Sequence, residues 1–158
     1  VGNPLLGDDG FGLTVLETLR TDWSVPADVA LVDGGTWGMN LLPVIEDADP
    51  LILVDAIAAG AAPGALIVME RDEIPRYLAT KLSPHQIDLR EVLALADLRG
   101  RLTERTVAMG CQPARVENGI GLSPELTTQV GPMAAAVAER LTRWGYPCRR
   151  LDAPAPYA

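Results

Sequence analysis

Apolar residues at Phe11, Leu13, Val15, Leu16 and Leu19 recur at helical steps, and this periodicity predicts a helix over residues 11–23. Asp8 stands just ahead of it as the expected N-cap, a place that Asn fills about as well. The pattern then shortens. Val29-Ala-Leu-Val-Asp33 is apolar, is stopped by Gly34-Gly35-Thr36, and reads as a strand feeding a tight loop. Residues 38–46 carry Met39, Leu41, Leu42 and Ile45 at helical spacing, and Pro43 fits the first turn of that helix better than its interior. Pro50-Leu-Ile-Leu-Val-Asp55 is the most strand-like run, and residues 65–70 and 106–110 read as further strands. Residues 87–98 predict a helix, and residues 123–143 a long one opened by Ser123 as N-cap and Pro124 at the first helical position. Apolar strands alternating with helices indicate an α/β fold, a three-layer α/β/α sandwich around a mostly parallel sheet.

The bulk properties narrow the partners. A chain of 158 residues fits one domain and buries roughly 68–70 % of its unfolded surface. With 48 % apolar but only 4 % aromatic residues, its core must be aliphatic. A net charge of −8 argues against nucleic acid and anionic membranes, both of which reward Lys and Arg, and suits a basic peptide or a bound cation better. Two cysteines, Cys111 and Cys148, are too few for a disulfide framework and fit a reducing, cytoplasmic setting. The apolar stretch of residues 55–69 is broken by Gly and Pro and gives no transmembrane span. The expected domain covers residues 1–144, with a Pro-containing extension of low order over 145–158. Because a Gly-Asn loop normally follows a strand, a first strand of about five or six residues is expected ahead of Val1.

The chemistry concentrates at predicted strand ends. In open parallel sheets, ligands bind beyond the carboxyl ends of the strands. That rule places Asp8 and Asp9 (after the expected first strand), the Gly34-Gly35 loop and Asp55 on one edge. His85, the single histidine, follows the strand of residues 65–70 and is expected at the same edge. Two carboxylates and an imidazole form an O,O,N set that suits a borderline divalent metal with positions left for other ligands. A fourth strong protein ligand is lacking, so a tightly held structural metal is not expected. Cys111 with His85 as base is a second possible arrangement, weakened by the usual burial of strand cysteines. The glycines of residues 2–12 do not fit a phosphate loop or a dinucleotide fingerprint, and no Gly-x-Ser-x-Gly elbow exists. A receiver-type signalling domain, one of the acidic-site α/β binding domains, also places an acidic pair after its first strand and an Asp after its third. It needs a Lys after its last strand, whereas this chain has Gly-Cys-Gln-Pro-Ala there and its only lysine is Lys81.

Gly2-Asn-Pro-Leu-Leu-Gly-Asp-Asp-Gly-Phe-Gly, Val32-Asp-Gly-Gly-Thr-x-Gly-x-x-Leu-Leu, Leu51-Ile-Leu-Val-Asp-Ala, Ser83-Pro-His-Gln and Gly110-Cys-Gln-Pro-Ala arrive in this order. The succession resembles the hydrogenase maturation endopeptidases of nickel-iron hydrogenases. Asp97-Leu-Arg-Gly100 and Glu117-Asn-Gly-Ile-Gly-Leu-Ser-Pro124 look like the branch serving uptake hydrogenases. The resemblance implies that Asp9, Asp55 and His85 form the site and contact nickel. It also implies that the nickel arrives inside the precursor of the large subunit, so that no tightly bound cofactor of the enzyme's own is expected. The activity implied is removal of the precursor's C-terminal extension. Some relatives carry Glu where this chain has Asp9. Attack by water on a metal-polarised carbonyl and attack by carboxylate-activated water are both open.

Overall fold

The computed structural model describes residues 1–35, 37–74 and 89–152. Helix α1 (Phe11–Asp22) carries Phe11, Val15 and Leu19 on one stripe, all buried. Each such side chain contributes about 1.5–3 kcal/mol by leaving water. The helix runs into β1 (Trp23–Ser24). A 3₁₀ turn at Gly38–Leu41 continues into α2 (Leu42–Asp47), with Pro43 in its first turn as expected. There follow β2 (Leu51–Ala56), β3 (Leu66–Glu70), α3 (Leu89–Leu98), β4 (Thr106–Cys111), α4 (Pro124–Thr127), α5 (Val130–Arg143) and β5 (Arg149–Arg150).

The layers follow from β4, whose residues are all buried. Val107, Met109 and Cys111 face α1 and α5, packing with Phe11, Val15, Met133 and Val137. Ala108 turns to the other side, in the cluster built from Ile45 of α2, Val92, Leu93 and Ala96 of α3, and Leu53 of β2. The α/β/α sandwich is therefore present. On the first face α1 approaches β2 closely, because Gly12 has no side chain: a Cβ there would stand 2.2 Å from the Val54 carbonyl oxygen.

The sheet is mixed, which modifies the expectation of a mostly parallel one. Its strand order is β2-β4-β3, with β2 parallel and β3 antiparallel to β4. The link from β2 to β3, residues 57–65, has no helix and passes over the end of β4. A parallel return needs a dozen or more residues. The chain therefore turns back directly, and β3 ends at the edge where β2 and β4 begin.

Three other expectations change. Residues 29–33 do not form a strand; with no ladder partner among the described residues, Val29 and Leu31 instead pack against the first cluster. Residues 28–32 line a slot of about 480 Å³ along β2, and the Val1 amino group donates to the Val54 carbonyl at 2.8 Å at the same strand. The long C-terminal helix is divided at Thr128 and Gln129. Pro132 has no N–H to offer the Thr128 carbonyl, and its ring would clash with that group in a continuous helix. Residues 145–152 are not a low-order tail: Arg149–Arg150 pairs antiparallel with Trp23–Ser24, and Leu151 donates to the Asp22 carbonyl at 2.8 Å. Residues 153–158 lie outside the described residues.

Candidate active site

The upper edge of the sheet, where β2 and β4 end, gathers the acidic residues. Asp55 is the fifth residue of β2 and is 1 % exposed. Its Oδ1 accepts the Ala56 N–H at 2.9 Å. Asp9 lies in the 3₁₀ turn Gly7–Gly10 that leads into α1 and is partly exposed. Its Oδ2 accepts the Asn3 N–H at 2.8 Å, fastening the loop of residues 3–9 across its own mouth.

Gly2 stands between the two. At φ +130° a side chain is disfavoured, and a Cβ there would lie 1.9 Å from the Asp9 carbonyl oxygen and 3.7 Å from Asp55 Oδ1. The Asp9 backbone and the Asp55 carboxylate thus flank one point. The fold therefore sets the Asp9 main chain beside the Asp55 side chain. His85 lies outside the described residues. The strand-end rule that brought it to this edge does not apply to β3, whose carboxyl end is at the opposite edge. Helix α3, however, begins at Leu89 and descends. Its far end is tied to α2 by Arg99–Glu46 and Arg101–Asp47 ion pairs, just before β2 starts. Its first residue, four positions after His85, is therefore directed toward the upper edge. Among the described residues, no three His, Cys, Asp or Glu side chains form a metal-binding group.

Asp8 has a different task from the expected one. It makes no capping bond to α1 and is fully buried. Its Oδ2 accepts from Ala114 N–H at 2.9 Å, Arg115 N–H at 3.0 Å and the Ser123 hydroxyl at 2.9 Å, and its Oδ1 accepts Ser123 N–H at 2.6 Å. Burial alone would raise its pKa. The Ser123 and Arg115 backbone donors, the Ser123 hydroxyl and Ala114 outweigh that and hold it below the usual 3.8. Ser123 Oγ in turn accepts from Leu126 N–H at the start of α4, so Asp8 also orients that helix cap. One carboxylate therefore closes both ends of the loop of residues 114–123, and the middle is held by Gly7 and Leu5 bonds to Gly119 at 2.9 and 3.0 Å.

Cys111 is buried, and desolvation, with the nearby Asp8 charge second, pushes its thiol up to about 11. At neutral pH it is a thiol and no nucleophile. Gln112, quoted in a motif but assigned no role from sequence, is a junction. Its Oε1 accepts the Ala59 and Ala61 N–H groups at 2.8 and 3.1 Å, while its backbone pairs with Gly64 and Ala65. Gln112 and Asp8 act on partners distant in sequence, which no local pattern announces.

The arrangement is a buried carboxylate, Asp55, near the end of β2, with Asp9 in the adjoining 3₁₀ turn. Comparison with known proteins gives the family. Residues 13–140 match the hydrogenase maturation protease (HycI) family. The hydrogenase expression/formation protein HupD of Bradyrhizobium diazoefficiens is 40 % identical over 98 % of this chain and 81 % of its own length. The hydrogenase 2 maturation protease of Escherichia coli is 34 % identical over 92 % of this chain and 89 % of its own. The solved structure of the hydrogenase maturating endopeptidase HybD from Escherichia coli superposes with a TM-score of 0.87 at 33 % identity, covering 94 % of this chain and 93 % of that one. The fold is that of an endopeptidase. The chain belongs to the hydrogenase maturation protease family.

Proposed function

We propose that this endopeptidase removes the C-terminal extension of a nickel-iron hydrogenase large-subunit precursor, and that Asp9, Asp55 and His85 read the nickel the precursor already carries. The observation that carries this reading is the approach of the Asp9 main chain and the Asp55 carboxylate to one point at Gly2, beside the end of β2. Support comes also from the direction of α3, which starts at the same edge four residues after His85. Two carboxylates and one imidazole leave positions on a divalent ion for donors from the precursor, as recognition of a shared metal requires. Nickel is thus part of the substrate, and the enzyme needs no ion of its own.

The peptide bond is then hydrolysed by water. Either of two arrangements supplies the activation: the nickel polarises the scissile carbonyl, or one of the two carboxylates takes the water's proton. The inert Cys111 removes a thiol mechanism from consideration, and the family match sets aside a signalling domain. The net charge of −8 fits a protein partner rather than nucleic acid, and among the described residues no helix is long and apolar enough to cross a membrane. The free thiols of Cys111 and Cys148 suit a reducing compartment, which supports the cytoplasm as the setting of the proposed reaction. The test is a processing assay on nickel-loaded precursor with the wild type, Asp9→Asn, Asp55→Asn and His85→Ala. Each variant is expected to lose cleavage by at least about 100-fold while remaining folded. A variant that folds and cleaves at the wild-type rate removes its residue from the site.

A further inference from the structure

The connection from β2 to β3 starts two residues after Asp55 and runs along the carboxylate edge with its middle, residues 60–63, exposed. Its residues are Ile57-Ala-Ala-Gly-Ala-Ala-Pro-Gly-Ala65, which offer almost no side chain with which to build a core of their own. Its start is anchored by Ile57, which is buried and donates to the Cys111 carbonyl at 2.9 Å, and Ala59 packs against the same cluster. From Ala59 to Ala65, the hydrogen bonds that leave the segment go to one residue. Gln112 Oε1 accepts the Ala59 N–H at 2.8 Å and the Ala61 N–H at 3.1 Å. The Gln112 carbonyl accepts the Gly64 N–H, and the Gln112 N–H donates to the Ala65 carbonyl, both at 2.9 Å. Its Nε2 donates to the Pro113 carbonyl at 3.3 Å, which fixes which way the amide faces.

We infer that Gln112 is a positioning residue for the precursor: through Ala59 and Ala61 it keeps the loop of residues 57–65 in one conformation, as a preformed wall along which the precursor's extended chain lies beside Asp55. This inference rests on the proteolytic reading given above. Three features combine in it. The loop is covalently next to Asp55, so its path sets what can approach that carboxylate. Its exposed alanines and glycine leave the backbone of residues 60–63 open to another main chain. The bonds that hold it come from Gln112, the residue directly after β4, the most buried strand of the sheet, so the wall is rigid before any partner arrives. Fixing such a loop in advance spares the ordering cost at the moment of binding. Releasing it lowers the fraction of enzyme able to bind, and the apparent affinity falls by that same fraction. The reacting atoms are not touched, so the effect belongs in KM.

The test compares Gln112→Met, which keeps the length and the backbone bonds but loses both side-chain acceptor bonds, with Gln112→Glu, which keeps an acceptor facing Ala59 and Ala61. Processing of nickel-loaded precursor is followed together with hydrogen exchange at the Ala59 and Ala61 amides. Gln112→Met should raise KM about tenfold with kcat within about threefold of wild type, and exchange at the two amides should accelerate. Gln112→Glu should return KM to within about threefold of wild type and slow exchange again. If exchange accelerates in Gln112→Met and KM does not move, or if kcat falls and KM stays, the inference is overturned. If Gln112→Met does not fold, Gln112→Glu decides: a tenfold higher KM with protected amides refutes the assignment, and a wild-type KM supports it. A wild-type enzyme that does not process the precursor overturns the proteolytic reading instead.

Discussion

Replacing Asp8 by Asn changes one oxygen to an NH₂ group, and the structure makes this a severe change. The carboxylate accepts four hydrogen bonds in a fully buried place, three on Oδ2 and one on Oδ1. The better of the two amide orientations puts the oxygen where Oδ2 is and keeps the Ala114, Arg115 and Ser123 hydroxyl donors. The NH₂ group then faces the Ser123 N–H, donor against donor, at a site where the present distance is 2.6 Å. A buried donor without an acceptor costs about 1–3 kcal/mol, and the surviving bonds lose the extra strength that a charged acceptor gives. Together these come to about 3–5 kcal/mol, a fall in Tm on the order of 10 °C for a domain of this size. Thermal or urea unfolding of Asp8→Asn beside Asp9→Asn provides the measurement. Asp9 is the fair control, because an amide oxygen can still accept its Asn3 N–H. An Asp8→Asn protein within about 0.5 kcal/mol of wild type would show that the four bonds are not what holds the loop of residues 114–123.

Two further outcomes follow from the same structure. Cys111→Ala should keep cleavage, and the wild-type Cys111 thiol should resist alkylation at pH 8 while the protein is folded, because burial lifts its pKa to about 11; loss of cleavage in that variant, with the fold intact, would restore a thiol mechanism. Hydrogen bonds from Arg140, at 2.6 and 3.0 Å, hold the Glu70 carboxyl below its usual 4.5, and the guanidinium also lies 5.4 Å over the Trp144 ring. A carboxylate depressed in the folded state contributes stability above its unfolded pKa and loses it as pH falls through the folded value. Wild type should therefore exceed Glu70→Gln by about 0.2–1 kcal/mol at pH 6, a small figure because Glu70 is half exposed, and the gap should close below pH 4.5. A gap that widens on acidification would contradict the assignment.

Much of the architecture was legible where a local pattern carries it. The Phe11, Val15 and Leu19 stripe announced α1, and Ser123 with Pro124 announced the start of α4, because capping and periodicity act within a few residues. The direction of β3 could also have been read: nine residues with two glycines and a proline cannot hold a crossover helix. The break at Thr128 was written in Pro132. Residues 29–33 look like a strand because they are apolar, but a strand needs a neighbour, and the sequence does not say who stands beside whom. Asp8 misled for a related reason. Next to a helix it reads as a cap, while its true partners at residues 114, 115 and 123 lie more than 100 positions away. Asp55 stands at the expected edge because the strand-end rule depends there on β2 alone, and β2 does run as expected, whereas Asp9 was placed by a strand expected ahead of Val1. The same rule failed for the strand before His85.

The measurement closest to the central claim is processing of nickel-loaded against nickel-free precursor by the wild type and by the double variant Asp9→Asn with Asp55→Asn, binding being followed alongside cleavage. If these carboxylates read the nickel, the wild type binds and cleaves the loaded precursor at least about tenfold better than the empty one, and the double variant, still folded, binds both equally and cleaves neither. Equal binding and cleavage of the two precursors by the wild type would contradict the account, since nickel would then not be what this edge of the sheet recognises.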